Sequence, residues 1–368
     1  SAPLDNGGHT ASRWGPAVVV GAGFAGIPLA AYGTQVYPEI VAAGCVVTAL
    51  LGLRSLTDQG RSGRPAAVIV VVAAVVALPW LAIKYTPVAA VVAVALLLGL
   101  AGHPRVADRV EPNRRKTVIA AATVTVTLTV AGVVYLVAHR WIYGGWTAYA
   151  SGDHFVDSGE FAVIGNEFSL LGRSRRLIGL LIDNTFGIAV WQPLWFLLVP
   201  AVVDGVRRRR WLLLALLGTG WLTATYVALT MHGWWVPGRQ LVVVLPAALV
   251  LIAVWADRPG RIVATALLGL AGLVNWLWLA LETTTGRRTL VVDFDQTAAI
   301  PYRLVGGITP DGMRAAPGDD LALVVWAVVL IATALLIRGR TVGSQDGDSD
   351  TEPTPTLPDP RRNELPTP

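Results

Sequence analysis

Apolar runs as long as a membrane span recur along this chain, and no other feature limits its fold as strongly. Trp14 to Ala31 and Ile40 to Leu53 are too long and too free of charge for a soluble core, and similar stretches follow as far as Ile337. A spanning helix needs about 20 mostly apolar residues, and shorter ones are tolerated inside bundles. By that measure ten spans are expected, near residues 15–32, 38–53, 65–82, 86–101, 117–137, 185–203, 211–230, 240–256, 262–281 and 321–337. The segment 65–101 reads as a tight helical hairpin, because Pro79, Lys84 and Pro87 divide it and two prolines exclude one long helix. The expected fold is therefore all-α, a polytopic transmembrane helix bundle of about ten spans with two long external loops.

Composition agrees, since 54% of the residues are hydrophobic and only 14% charged, which marks an integral membrane protein. The net charge of +5 does not point to nucleic acid, because the basic residues lie in short runs beside apolar segments and no basic stripe interleaved with aromatics appears. Cys45 is the single cysteine, so an intrachain disulfide and cysteine-based metal or redox sites drop out. Neither a P-loop nor an H-E-x-x-H pattern occurs. Gly21-Ala22-Gly23-Phe24-Ala25-Gly26 spells G-x-G-x-x-G, but it lies in a membrane run with no strand before it and is expected to be a helix-packing surface.

Orientation follows from the basic clusters at Arg54 to Arg64, Arg105 to Lys116, Arg207 to Arg210, and Arg258 with Arg261. Ten spans put all four on one side, together with the tail, and the positive-inside rule makes that side cytoplasmic in a plasma-membrane protein with both termini inside. Residues 1–14 then form a cytoplasmic segment, 15–340 the bundle, and 341–368 a disordered tail rich in Pro and Asp. The external face receives the turns at Glu39 and Lys84, the long loops 138–184 and 282–320, and the loop 231–239.

On that face lie the candidate functional groups. Glu39 follows the polar stretch Tyr32-Gly33-Thr34-Gln35-Val36-Tyr37-Pro38, where a carboxylate is costly unless it meets water, a partner or a substrate. It also suits a helix start, with Pro38 in the first position and the carboxylate favoured by the helix dipole. Lys84 as a point charge and Arg239 as a two-pronged donor would serve an anion such as a lipid phosphate, or simply snorkel to headgroups. His232 and Arg239 bracket Gly233-Trp234-Trp235-Val236-Pro237-Gly238. Asp183 reads equally as a helix cap or as one ligand of a divalent metal ion, for which Glu39, Asp153 with Asp157, or Asp293 with Asp295 would have to supply further carboxylates.

Four stretches taken in order, Ala31 to Ala43, Leu78 to Tyr85, Leu180 to Gly187 with Gln192-Pro193, and Trp234 to Arg239 with Leu245-Pro246, resemble bacterial glycosyltransferases of the GT-C type, the class that includes protein O-mannosyltransferases and aminoarabinose transferases. The resemblance covers most of residues 15–340. It implies inverting transfer of a sugar from a polyprenyl-phosphate donor to a glycan or lipid acceptor on the external face. Glu39 then takes the place of the acidic residue at an external turn, as catalytic residue, and Gln35, Tyr37, Lys84, Asp183, His232 and Arg239 bind substrate. The family's first external loop, with its catalytic Asp or Asp-Glu pair, has no counterpart here, and with Ser1 in place of Met the expectation is a segment lacking that part. A transporter or flippase for a lipid-linked sugar, needing midplane charges on broken helices in repeated halves, and a non-catalytic membrane subunit are the competing expectations.

Overall fold

The computed structural model describes residues 14–58, 64–101, 114–146, 170–228, 231, 236–258, 260–290, 293–311 and 317–339. The expectations for the N-terminal segment, the tail, His232, Asp153 and Asp157 lie outside these residues. Among the described residues every regular element is helical. Chain order runs α1 (Trp14–Ala25), α2 (Leu29–Gly33), α3 (Pro38–Asp58), α4 (Arg64–Leu81), α5 (Thr86–Leu100), α6 (Arg114–Tyr143), α7 (Leu170–Ser174), α8 (Arg176–Ile182), α9 (Ile188–Trp191), α10 (Leu198–Arg207), α11 (Trp211–Leu222), α12 (Leu245–Ala256), α13 (Arg261–Thr284), α14 (Ile300–Gly306) and α15 (Pro317–Gly339).

Among the described residues six helical stretches are long and apolar enough to cross a membrane: Pro38–Leu56, Ile83–Leu100, Thr117–Tyr143, Arg239–Ala256, Arg261–Thr284 and Gly318–Ile337. Trp14–Ala25, Pro65–Leu81 and Trp211–Val227 are apolar but shorter. The stretch 185–203, expected as one span, is broken instead into α9, a 3-10 turn over Pro193–Leu197, and α10. Pro193 has no amide to donate, so the α-helical ladder stops at Gln192. Two polar side chains secure the break, with Gln192 Nε2 donating to the Ala22 carbonyl at 2.7 Å and Asn275 Nδ2 to that of Trp191 at 2.9 Å.

The long loops carry structure of their own. α6 runs on to Tyr143, α7 and α8 occupy 170–182, and α14 sits inside 282–320; apolar groups of α8 (Leu180, Leu181, Ile182) and Tyr302 of α14 pack into the core, while those at the end of α6 and in α7 stay exposed. Trp191, for example, lies 4.1 Å from the ring of Tyr302 and 5.6 Å from that of Phe294.

At the centre stands α12, flanked by α1, α3, α10, α11 and α13. Burial ranks the helices: 72% of the Arg239–Ala256 window is enclosed by protein, against 6% for α6 and 0% for α15. With no hydrophobic drive between helices in lipid, close approach at small residues supplies the packing. A side chain at Gly23 would strike Leu249, one at Gly26 or Gly272 would strike Gln192, and one at Gly52 would come within 2.6 Å of Val71. Of the run Gly21 to Gly26, Gly23 and Gly26 thus face packed side chains while Gly21 meets open space.

Candidate functional site

Three helix starts and one turn converge at one end of the bundle. Pro38 opens α3 and puts Glu39 in its first turn, where the carboxylate meets the positive end of the helix. Between α4 and α5 the chain makes a 3-10 turn over Ile83–Tyr85, with extended backbone at Ala82 before it and Pro87 in the first turn after it. This tight turn projects Lys84. Gly238 adopts a left-handed conformation (φ 80°) that starts the 3-10 segment Arg239–Val244 leading into α12. A Cβ there would be strained and would also come within 2.6 Å of Ile188 and 3.0 Å of Pro28, so glycine alone fits. The Tyr32 hydroxyl donates to the Val236 carbonyl at 2.7 Å and fastens α2 to this turn.

Glu39 is fully buried, and its Oε1 accepts from Arg239 Nε at 2.7 Å and from Lys84 Nζ at 3.1 Å. Lys84 also donates to Gln240 Oε1 at 2.9 Å. The guanidinium of Arg239 lies over the Tyr37 ring, 4.6 Å from its centroid, so carboxylate and aromatic face together fix its plane. Glu39 Oε2 and Gln35 Oε1 are buried and accept no hydrogen bond among the described residues. Both cations keep about a fifth of their side-chain surface open while the carboxylate keeps none. Among the described residues two cations thus meet on one buried carboxylate, each with a side open.

Beside Lys84 lies a hollow of ≈ 10 Å³, room for about one water molecule. Lys84, Tyr85, Val88, Gln240 and Val243 line it together with Gly220 of α11 and Thr223 and Ala224 of the turn that follows. It is too small for a sugar. Its α11 wall begins a π-helical turn, Thr223–Val227, whose widened backbone is gripped from behind by two buried arginines. Arg176 donates to the Ala228 carbonyl at 2.8 Å, and Arg173 donates to that of Tyr226. Desolvation, and secondarily the neighbouring charge of Arg173, lowers the pKa of Arg176.

The structure therefore brings Glu39, Lys84, Arg239 and Tyr37 into contact, with Gln35 in the same turn. Asp183 is placed differently. It ends α8 and caps the following turn, Oδ1 accepting from the Thr185 amide at 2.8 Å, the Thr185 hydroxyl at 2.6 Å and the Phe186 amide at 3.2 Å. The cap is what the geometry displays of its two readings. Asp293 likewise accepts from the Thr289 amide and hydroxyl at 2.6 and 2.8 Å, which with the nearby Arg288 holds its carboxyl below the usual range. Among the described residues no three His, Cys, Asp or Glu side chains gather where they could hold a metal ion.

Sequence reasoning missed Gln240, Arg173, Arg176 and Glu282. Glu282 Oε1 accepts from Trp278 Nε1 and from the Ala298 amide, both at 3.0 Å, which ties α13 to the segment before α14. The available signal was an acid near the end of a largely apolar helix, seven residues after Asn275. No family model, curated protein or solved structure matches the chain.

Proposed function

We propose that the chain is the membrane-embedded part of a GT-C type glycosyltransferase, which moves a sugar from a polyprenyl-phosphate donor to an acceptor at the external face of the plasma membrane. In this reading the chain crosses about ten times, with both termini cytoplasmic and the Glu39 end outside. One observation supports it above the rest: Lys84 and Arg239, brought from distant turns onto the buried Glu39, each keep about a fifth of their side-chain surface open at the end of an apolar bundle. That is what an amphiphile with an anionic head requires.

In the transfer, an acceptor hydroxyl attacks the anomeric carbon and loses its proton to water, the bond from that carbon to the phosphate oxygen breaks with its electron pair, and the polyprenyl phosphate leaves with an added negative charge. Lys84 and Arg239 stabilise that charge as it develops. Glu39 aligns both cations through Oε1. It is a positioning residue here.

In nanodiscs the chain is expected to bind a polyprenyl phosphate, with affinity falling about tenfold or more in Arg239→Gln, since a hydrogen bond to a charged group is worth ~1.5–3 kcal/mol. Equal binding of the unphosphorylated prenol would refute it. The buried break at Gln192 favours the second reading, a flippase for a lipid-linked sugar. Movement of the intact lipid across liposomes, with its sugar-phosphate bond unbroken, would select that reading instead.

A further inference from the structure

At the opposite end of the bundle the turn from α10 to α11 and the turn from α12 to α13 meet on one carboxylate. Arg208 Nε lies 2.6 Å from Asp204 Oδ2, and Arg258 Nη2 lies 3.9 Å from Asp204 Oδ1. Asp204 thereby joins the two turns into one surface. Arg261 completes it, donating to the Trp255 carbonyl at 2.7 Å with its guanidinium 4.5 Å from the centroid of the Trp255 ring. Arg209 and Arg210 stand exposed beside it. Against five arginines the described residues of these two turns offer Asp204, already shared, and the exposed Asp257.

Two further observations specify the ligand. Arg209 holds a left-handed backbone conformation, φ 55°, where glycine would fit at no steric cost. The turn therefore carries a charge at the position least suited to a long side chain. Next to these turns in the chain lie the exposed apolar residues Val206 of α10, Trp211 of α11 and Val263 of α13. A charge surplus beside apolar residues fits an acyl chain carrying an anionic head, not a free ion.

We infer that this surface is a binding site for an anionic phospholipid, its headgroup phosphate held by Arg209, Arg258 and Arg261 and its acyl chain against α10 and α13. The site is independent of the sugar-transfer reading and lies at the other end of the molecule. Arg209→Gly tests it, because that change relieves the turn while removing a lipid contact, so stability and lipid retention move in opposite directions.

The whole chain is purified in a mild detergent and given phosphatidylglycerol, phosphatidylcholine or soluble glycerol 3-phosphate, and bound lipid is read by native mass spectrometry. Phosphatidylglycerol is expected to be retained in preference to phosphatidylcholine and not displaced by glycerol 3-phosphate. Arg209→Gly is expected to lower its retention about fivefold, the weight of one arginine near an anionic surface, with an unfolding temperature equal to or above that of the parent. Arg258→Gln, which leaves Arg208 on Asp204, is expected to do the same to retention. Equal retention of the two lipids, displacement by glycerol 3-phosphate, or unchanged retention in both variants would overturn the assignment.

Discussion

Replacing Glu39 by Gln keeps the shape of the side chain and one oxygen for Lys84 and Arg239 but removes the carboxylate charge on which both cations meet. Removing one partner of a fully buried ion pair costs about 3–5 kcal/mol, chiefly because an uncompensated charge stays behind. Here both cations keep about a fifth of their surface open and recover part of their solvation, so the expected cost is about 2–4 kcal/mol. At roughly 2 °C per kcal/mol for a large domain, the midpoint of unfolding falls by about 4–8 °C. The 14 tryptophans give a fluorescence signal for thermal unfolding in detergent. The sharper measurement is the cycle with Lys84→Met, since removing the stranded ammonium should restore part of the loss. The double variant is expected to be less destabilised than the two single changes summed, by about 1 kcal/mol or more. A midpoint within 1 °C of the parent (roughly half a kcal/mol) together with additive effects would show that the cluster is a solvated surface contact.

Gly272→Ala should destabilise by about 1–3 kcal/mol, because the new methyl group overlaps the buried Gln192 side chain, whereas Gly21→Ala, which meets open space, should be tolerated in the same unfolding assay. Asn275→Leu strands the Trp191 carbonyl and the Tyr302 amide, each bonded at 2.9 Å, and a cost of about 1–3 kcal/mol per stranded group is expected from thermal unfolding. For Asp293 the folded carboxyl titrates below its unfolded value, so its contribution is present above about pH 3.9 and lost as pH falls through the lower folded value. The amide resonance of Thr289 should report that transition with a midpoint below about 3.9, and a midpoint at or above it would contradict the bonding described.

The helical class and most helix positions were legible because a membrane run declares itself by hydropathy alone. The break at 192–193 was not, since an averaged apolar window hides one glutamine and one proline. Gln192 is accommodated by glycines at 26 and 272, a match between distant helices that no local pattern encodes. Glu39, Lys84 and Arg239 stood out because each is a lone charge at a helix turn, and their meeting is a tertiary fact. Gln240 and the π-helical turn carry no comparable mark, because a neutral amide and an apolar helix end look alike wherever they occur.

The outermost helix, α15, is fastened differently from the rest. Trp326 stacks on Phe196 at 5.7 Å and donates to the Ile308 carbonyl at 2.7 Å, Asp320 pairs with Arg175, and Arg207 donates to the Ile337 carbonyl at 3.1 Å. Hydrocarbon tails would greet its flank about as favourably as the protein does, so these few polar rivets, rather than greasy contact, set where it rests. Its seat is a matter of alignment: cut the rivets one by one and the helix drifts sideways while remaining as comfortably dissolved as before.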